Sequence, residues 1–120
     1  KNEIAARNDA FNWNKTLNNA ITAHPEVSFM LSAGDQVNYA DREYEYAGYL
    51  NASALASLPV STTIGNHDSG SYQYSYHFNT PNSFDLDDTT YALGHTNAGT
   101  DYYYTYGDAL FIVIDTNNYN

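Results

Sequence analysis

The chain has no cysteine, which removes thiol nucleophiles, zinc-thiolate sites and disulfide frameworks from consideration. Basic residues are almost as scarce: Lys and Arg total 4 against 14 acidic residues, for a formal net charge of −10. That balance repels phosphodiester backbones and anionic lipid over long range, so bulk nucleic-acid binding is not expected. An acidic chain still binds a phosphate locally where bound cations reverse the sign at one point. No apolar run approaches the roughly 18 residues of a membrane span, and no basic-then-apolar leader opens the sequence. There is no internal repeat and no linker. At 120 residues one domain is the ceiling, and a chain of that size buries well over half of its unfolded surface.

What is present is a surplus of tyrosine, 13 residues, with many Asn, Thr and Ser. This composition suggests an extracellular or cell-surface protein. Triplets of the glycosylation pattern at Asn14 and Asn51 carry no weight in so Asn-rich a sequence.

Periodicity predicts a helix in "FNWNKTLNNAITAHPE", where Trp13, Leu17, Ala20, Ile21 and His24 share one face and Pro25 ends it. "VSFMLSAG" reads as a strand buried on both faces, with Phe29, Met30 and Leu31 contiguous. A second helix follows, capped by Asp41, with Ala47, Leu50, Ala54 and Leu58 as its apolar stripe and Pro59 as its stop. "VSTTIG" is the next strand. Residues 69–100 read mainly as ordered loop with "YQYSYHF" as a short strand, and "DYYYTYGDALFIVIDTN" as two strands about a turn at Gly107 and Asp108.

The strand-helix-strand order over 27–64 is most simply a parallel pair joined by a right-handed crossover, so both C-terminal strand ends lie at one sheet edge. Ligands bind at that edge in such sheets. The first strand ends in "AGDQVN" and the second in "IGNHD", which brings Asp35, Asn38, Asn66, His67 and Asp68 together. Gly34 and Gly65 suit a chain that leaves a strand sharply with no room for a side chain.

"GDQVN" followed one crossover later by "GNHD" resembles the second and third motifs of the calcineurin-like metallophosphoesterases, which include the purple acid phosphatases. The resemblance extends over about residues 27 to 115, because "YHFNTPN" and "YYYTYGDALFIVIDTNN" are similar to the stretch after that motif in bacterial members. It implies an α/β fold, a two-sheet sandwich flanked by helices (αββα). It also implies two divalent or transition-metal ions such as Mn, Zn or Fe, and in-line attack of hydroxide on a phosphoester substrate. By position, Asp35 would bridge the ions and Asn66 would bind one of them. A neutral ligand there cancels less of the cationic charge that polarises the phosphoryl group. His67 would donate a proton or hydrogen bond to the phosphoryl or leaving-group oxygen, with Asp68 orienting its ring.

The departures from the family pattern matter equally. An upstream strand ending in an Asp and His pair, a downstream lone His and a Gly-His-x-His motif are absent. "LGHTNAG" around His95 does not replace the last, since Asn97 stands where the second His belongs. The expectation is therefore a single partial domain over 1–120, a piece of a longer enzyme with a half-built metal site, inactive alone and accompanied by further domains. Asn38 also occupies the position where purple members carry the tyrosine that binds ferric iron, which argues against a tyrosinate centre.

Blander readings stand beside these. Asp35 could be only a turn or helix cap, and Asp115 could support a ligand or cap a strand. His77 is either a packed strand residue or substrate-facing, as Asn38 could also be. His24 and His95 are taken as surface or packing residues, and "DLDDTT" at 85–90 as a solvated acidic loop. The tyrosine pairs 102/104 and 103/106 either pack across strands or form a face for carbohydrate. The second function class is accordingly a non-catalytic surface module that binds carbohydrate or protein through tyrosine-rich strands.

Overall fold

A computed structural model describes residues 7–83 and 99–117, so His95 and the acidic stretch 85–90 lie outside the described residues. Eight elements follow in order: helix α1 (Arg7–Ala23), strand β1 (Met30–Ser32), helix α2 (Glu43–Leu50), a 3-10 turn (Ser53–Ala56), strand β2 (Val60–Thr62), helix α3 (Gln73–His77), and strands β3 (Tyr102–Tyr106) and β4 (Ala109–Val113). The fold is mixed α/β, with one parallel and one antiparallel strand pair among the described residues.

β1 and β2 are parallel, with Met30 opposite Val60 and Ser32 opposite Thr62, as the crossover order predicts. Leu31 nevertheless stands 59 % exposed, so the described residues do not bury β1 on both faces. The crossover also differs from one continuous helix. α2 begins at Glu43 behind Arg42 rather than Asp41, and it stops at Asn51 before the 3-10 turn. The cause lies on α1. A continuing helix would send the Ser53 N–H to the Tyr49 carbonyl, but Ser53 N donates to Asn14 Oδ1 at 2.8 Å and Trp13 Nε1 donates to Tyr49 O at 3.1 Å. Two side chains of α1 thus intercept the next helical bond.

The predicted stripes are correspondingly altered. On α1, Leu17 is buried and Trp13 and Ile21 pack with it against Ala52 and Ala54, while Ala20 and His24 are exposed. On α2 the buried residues are Glu45, Tyr46 and Tyr49, whereas Ala47 and Leu50 face outward. The Trp13 ring stacks on Tyr49 with centroids 5.1 Å apart.

"YQYSYHF" is a helix, not a strand. A strand would place Tyr72, Tyr74 and Tyr76 on one face, yet Tyr72 is 72 % and Tyr76 78 % exposed while Tyr74 is fully buried. Helical spacing instead brings Tyr74 and Phe78 together at i and i+4. Their rings lie 4.9 Å apart, and Phe78 also meets Tyr46 and Tyr49 of α2.

β3 and β4 form the predicted hairpin, with Tyr106 opposite Ala109. Gly107 takes φ +57 in the two-residue loop, as a type II′ turn requires at its first position. The two sheets are joined through Thr62, whose carbonyl accepts from Tyr102 Oη at 2.6 Å and Tyr74 Oη at 3.2 Å. Phe29 adds ring contacts to Tyr104, Tyr106 and Phe111.

Candidate active site

Both parallel strands release their chains at the same edge. After β1 the backbone turns through positive φ at Gly34 (+99) and Asp35 (+54). After β2 it passes Ile64 to Gly65, and the two exits touch. A Cβ at Gly34 would stand 2.8 Å from Gly65 Cα, and one at Gly65 would run into the Asp35 amide and carboxylate, with Cγ at 2.9 Å. Neither position has room for a side chain, which accounts for glycine at each.

This approach sets the Asp35 carboxylate against the second loop, where its Oδ1 accepts the His67 N–H at 3.1 Å. Asn66 lies exposed between the two residues that Asp35 touches, so the predicted pair shares one edge. Asp68 is fully buried and ties the loops together. Its Oδ1 accepts the N–H groups of Gln36 at 2.9 Å and Val37 at 3.2 Å, and its Oδ2 that of Gly65 at 2.9 Å. Burial pushes the Asp68 carboxyl up to about 6 and the nearby Asp35 charge adds to the rise, against the peptide N–H donors that favour the ionised form.

The expected Asp68 support of the His67 ring is replaced by a different arrangement. Asp68 spends its oxygens on peptide N–H groups, and His67 Nδ1 lies 2.9 Å from the Asn38 carbonyl oxygen. A carbonyl only accepts, so Nδ1 carries the proton and proton exchange falls to Nε2. Asn38 thus enters through its backbone, which in turn is held from α2. The Asn38 and Tyr39 N–H groups both donate to Glu45 Oε2, at 2.7 and 2.9 Å. Glu45 was not singled out by sequence reasoning. The available signal was its i,i+4 spacing to Tyr49, which puts a carboxylate on the inward face of α2.

The remaining candidates take other positions. His77 ends α3, its Nε2 2.8 Å from Glu43 Oε2 and its ring stacked on Tyr46 at 4.5 Å, so it pins α3 to α2. His24 is exposed, 3.3 Å from Glu26. Asp115 is buried and its Oδ1 accepts from Asn117 N at 2.9 Å and Asn117 Nδ2 at 2.8 Å, an Asx-type turn. Asn117 Nδ2 also donates to Ile64 O at 3.1 Å, which brings the exit of β4 beside that of β2.

Asp35 and Asn66 offer a carboxylate and an amide oxygen, donors suited to a hard or borderline cation, and the glycines let the two loops that carry them close on each other. Among the described residues no group of three or more His, Cys, Asp or Glu side chains is placed to hold a metal ion. The pair therefore fits one side of a cation site, with further donors needed from outside the described residues.

An α/β chain that gathers a carboxylate, an amide and a histidine at the ends of adjacent parallel strands has the layout of a metal-assisted hydrolase. The family model of the calcineurin-like phosphoesterases matches residues 7–120, and the chain belongs to that family, whose members are metal-dependent phosphoesterases. Its two sheets and helices are consistent with the metallophosphoesterase fold. No curated protein and no solved structure matches it.

Proposed function

We propose that the chain carries part of the catalytic centre of a phosphoester hydrolase acting on small phosphomonoesters or phosphodiesters. The observation that supports this most is the junction of the two loops, where the Asp35 carboxylate receives the His67 N–H at 3.1 Å and the His67 ring is held by Asn38 at 2.9 Å. Asp35 and Asn66 would hold cations at this edge, two divalent or transition-metal ions in the complete centre. Bound there, such ions supply the positive charge that polarises a phosphoryl group and acidifies water. With the ring in its doubly protonated form, His67 Nε2–H would give a proton or hydrogen bond to the leaving-group oxygen, and Nδ1–H on Asn38 keeps the ring turned for it. Asp68 keeps the loops in register.

In this reading the chain is one part of the domain, and other segments provide the remaining donors. Sequence resemblance favours the bacterial purple acid phosphatase-like subgroup without its tyrosinate, in an extracellular or cell-surface setting that rests on composition. No observation favours the carbohydrate- or protein-binding module. Tyr102 is buried, with its hydroxyl engaged by Ser61 and Thr62, and it stacks on Tyr104.

Aryl phosphate hydrolysis by the full-length protein that contains this chain, with Mn²⁺ or Zn²⁺, tests the proposal. Asp35→Ala should abolish turnover, and His67→Asn should slow it by about 10²- to 10⁴-fold, the usual range for a general acid. Undiminished rates in both variants would rule out this site.

A further inference from the structure

The geometry points to Glu45 as a positioning residue for His67, acting through the peptide that joins Asn38 to Tyr39. The inference rests on the proposed role of His67. Glu45 sits on the inner face of α2 with Tyr46 and Tyr49 and is 0 % exposed. A carboxylate is costly to bury unless its oxygens are satisfied. Here Oε2 takes two consecutive peptide N–H groups, Asn38 at 2.7 Å and Tyr39 at 2.9 Å, while Oε1 has Arg42 Nη1 at 3.5 Å.

The Tyr39 N–H and the Asn38 C=O belong to one peptide unit. That unit is planar and trans, as no cis bond occurs among the described residues, so its N–H and C=O point in opposite directions. Holding the N–H on Glu45 therefore aims the C=O the other way, and the atom found there is His67 Nδ1 at 2.9 Å. The second bond, to the Asn38 N–H, stops the loop from pivoting about the first. A carboxylate on the N–H also polarises the carbonyl and strengthens it as an acceptor, which favours the Nδ1–H tautomer and leaves Nε2 for proton exchange. Glu45 thus sets both the ring's orientation and its tautomer from the far side of a peptide plane.

Reach and charge are separable. Glu45→Gln keeps an oxygen at the same reach for both N–H groups, whereas Glu45→Asp keeps the charge and withdraws the oxygen by about one methylene, roughly 1.5 Å by bond lengths. The readouts are the His67 tautomer, from long-range ¹H–¹⁵N correlations of the ring, and kcat and KM for an aryl phosphate in the full-length protein that contains this chain. Wild type and Glu45→Gln should show Nδ1–H as the main tautomer with kcat within about 5-fold of each other. Glu45→Asp and Glu45→Ala should lose that tautomer preference and about 10- to 100-fold in kcat at nearly constant KM, as expected for a misaimed catalytic group. In a His67→Asn background, Glu45→Asp should cause no further loss, since both changes remove one function.

A retained Nδ1–H tautomer in Glu45→Asp would overturn the inference, as would an undiminished Glu45→Asp penalty in the His67→Asn background. The tautomer is read without turnover, so failure of the hydrolase reading, seen as an unaffected rate in His67→Asn alone, is distinguishable from failure of this one. Should Glu45→Ala not fold, the Asp and Gln variants decide the matter.

Discussion

Replacing Asp68 by Asn tests which of two opposed forces governs the junction between the loops. Three peptide N–H groups point at the carboxylate and favour its charge, while complete burial disfavours it. Burial prevails, raising the group from 3.8 to about 6. The folded-state value thus exceeds the unfolded one, so the folded chain holds the proton more tightly. The associated stability is fully present below about pH 3.8 and is lost as pH rises through about 6. The whole span corresponds to about 3 kcal/mol, of which about 2 kcal/mol falls between roughly pH 4.5 and 7.5. Asn is neutral throughout. Its Oδ1 can still serve Gln36 and Val37, but its NH₂ faces the half-buried Gly65 N–H and leaves that donor without its carboxylate partner, at a cost of about 1–3 kcal/mol. At the higher pH, relief of the buried charge offsets most of that cost. The penalty should therefore be about 2 kcal/mol larger near pH 4.5 than near pH 7.5, measured as the difference in urea unfolding free energy between the two proteins at each pH. An equal penalty at both values would refute this balance. A larger penalty at the higher pH would show that the three N–H donors outweigh burial and that the carboxylate is the favoured form.

Gly65→Ala should lose about 1–3 kcal/mol, typical of forcing atoms into a packed site, together with hydrolytic activity, because the added Cβ meets Asp35. Gly107→Ala meets nothing within 4 Å and should lose only the roughly 1–2 kcal/mol of an L-residue at positive φ with activity retained; matched losses of activity in the two would sink the distinction. Calorimetric titration of the 120-residue chain with Mn²⁺ or Zn²⁺ should show weak binding, since Asp35 and Asn66 leave an ion most of its water. Tight binding of two ions per chain would require donors outside the described residues but within this sequence.

The strand-crossover-strand unit was legible because its signals are local: two apolar runs, each closed by a glycine and followed by polar residues. The hairpin was legible for the same reason at Gly107 and Asp108. What escaped was decided by partners distant in sequence. Nothing within residues 43–58 says that the crossover helix breaks, because Trp13 and Asn14 of α1 take the bonds that would have continued it. The alternation in "YQYSYHF" suggested a strand, but Phe78 packs on Tyr46 and Tyr49, while Tyr74, itself buried, packs on Phe78, and helical spacing brings those two together. At the site, the family resemblance implied that Asp68 orients the His67 ring. Peptide N–H groups more than 30 residues upstream claim the carboxylate instead, and the Asn38 carbonyl does the orienting. Backbone donors and acceptors carry no mark in a sequence, so both the misassigned partner and the overlooked Glu45 have the same origin.

The use of peptide groups at this edge also bears on its charge. Asp68 and Glu45 are buried carboxylates in a chain with few basic residues, and the short bonds to them come from backbone N–H groups, with Arg42 alone approaching Glu45 at 3.5 Å. A lysine or arginine in the same places would satisfy the oxygens and also add a full positive charge beside Asp35. Peptide dipoles satisfy the oxygens without adding net charge. The edge therefore keeps the negative potential that draws a cation to Asp35 and Asn66, and the same potential repels a phosphoester until that cation charge is in place. Under the proposed function, binding of the anionic substrate then waits on the bound ions, because the short bonds to these acids come mostly from neutral peptide groups. The loops are held rigid by hydrogen bonds, and the positive charge the chemistry needs is left to the ions.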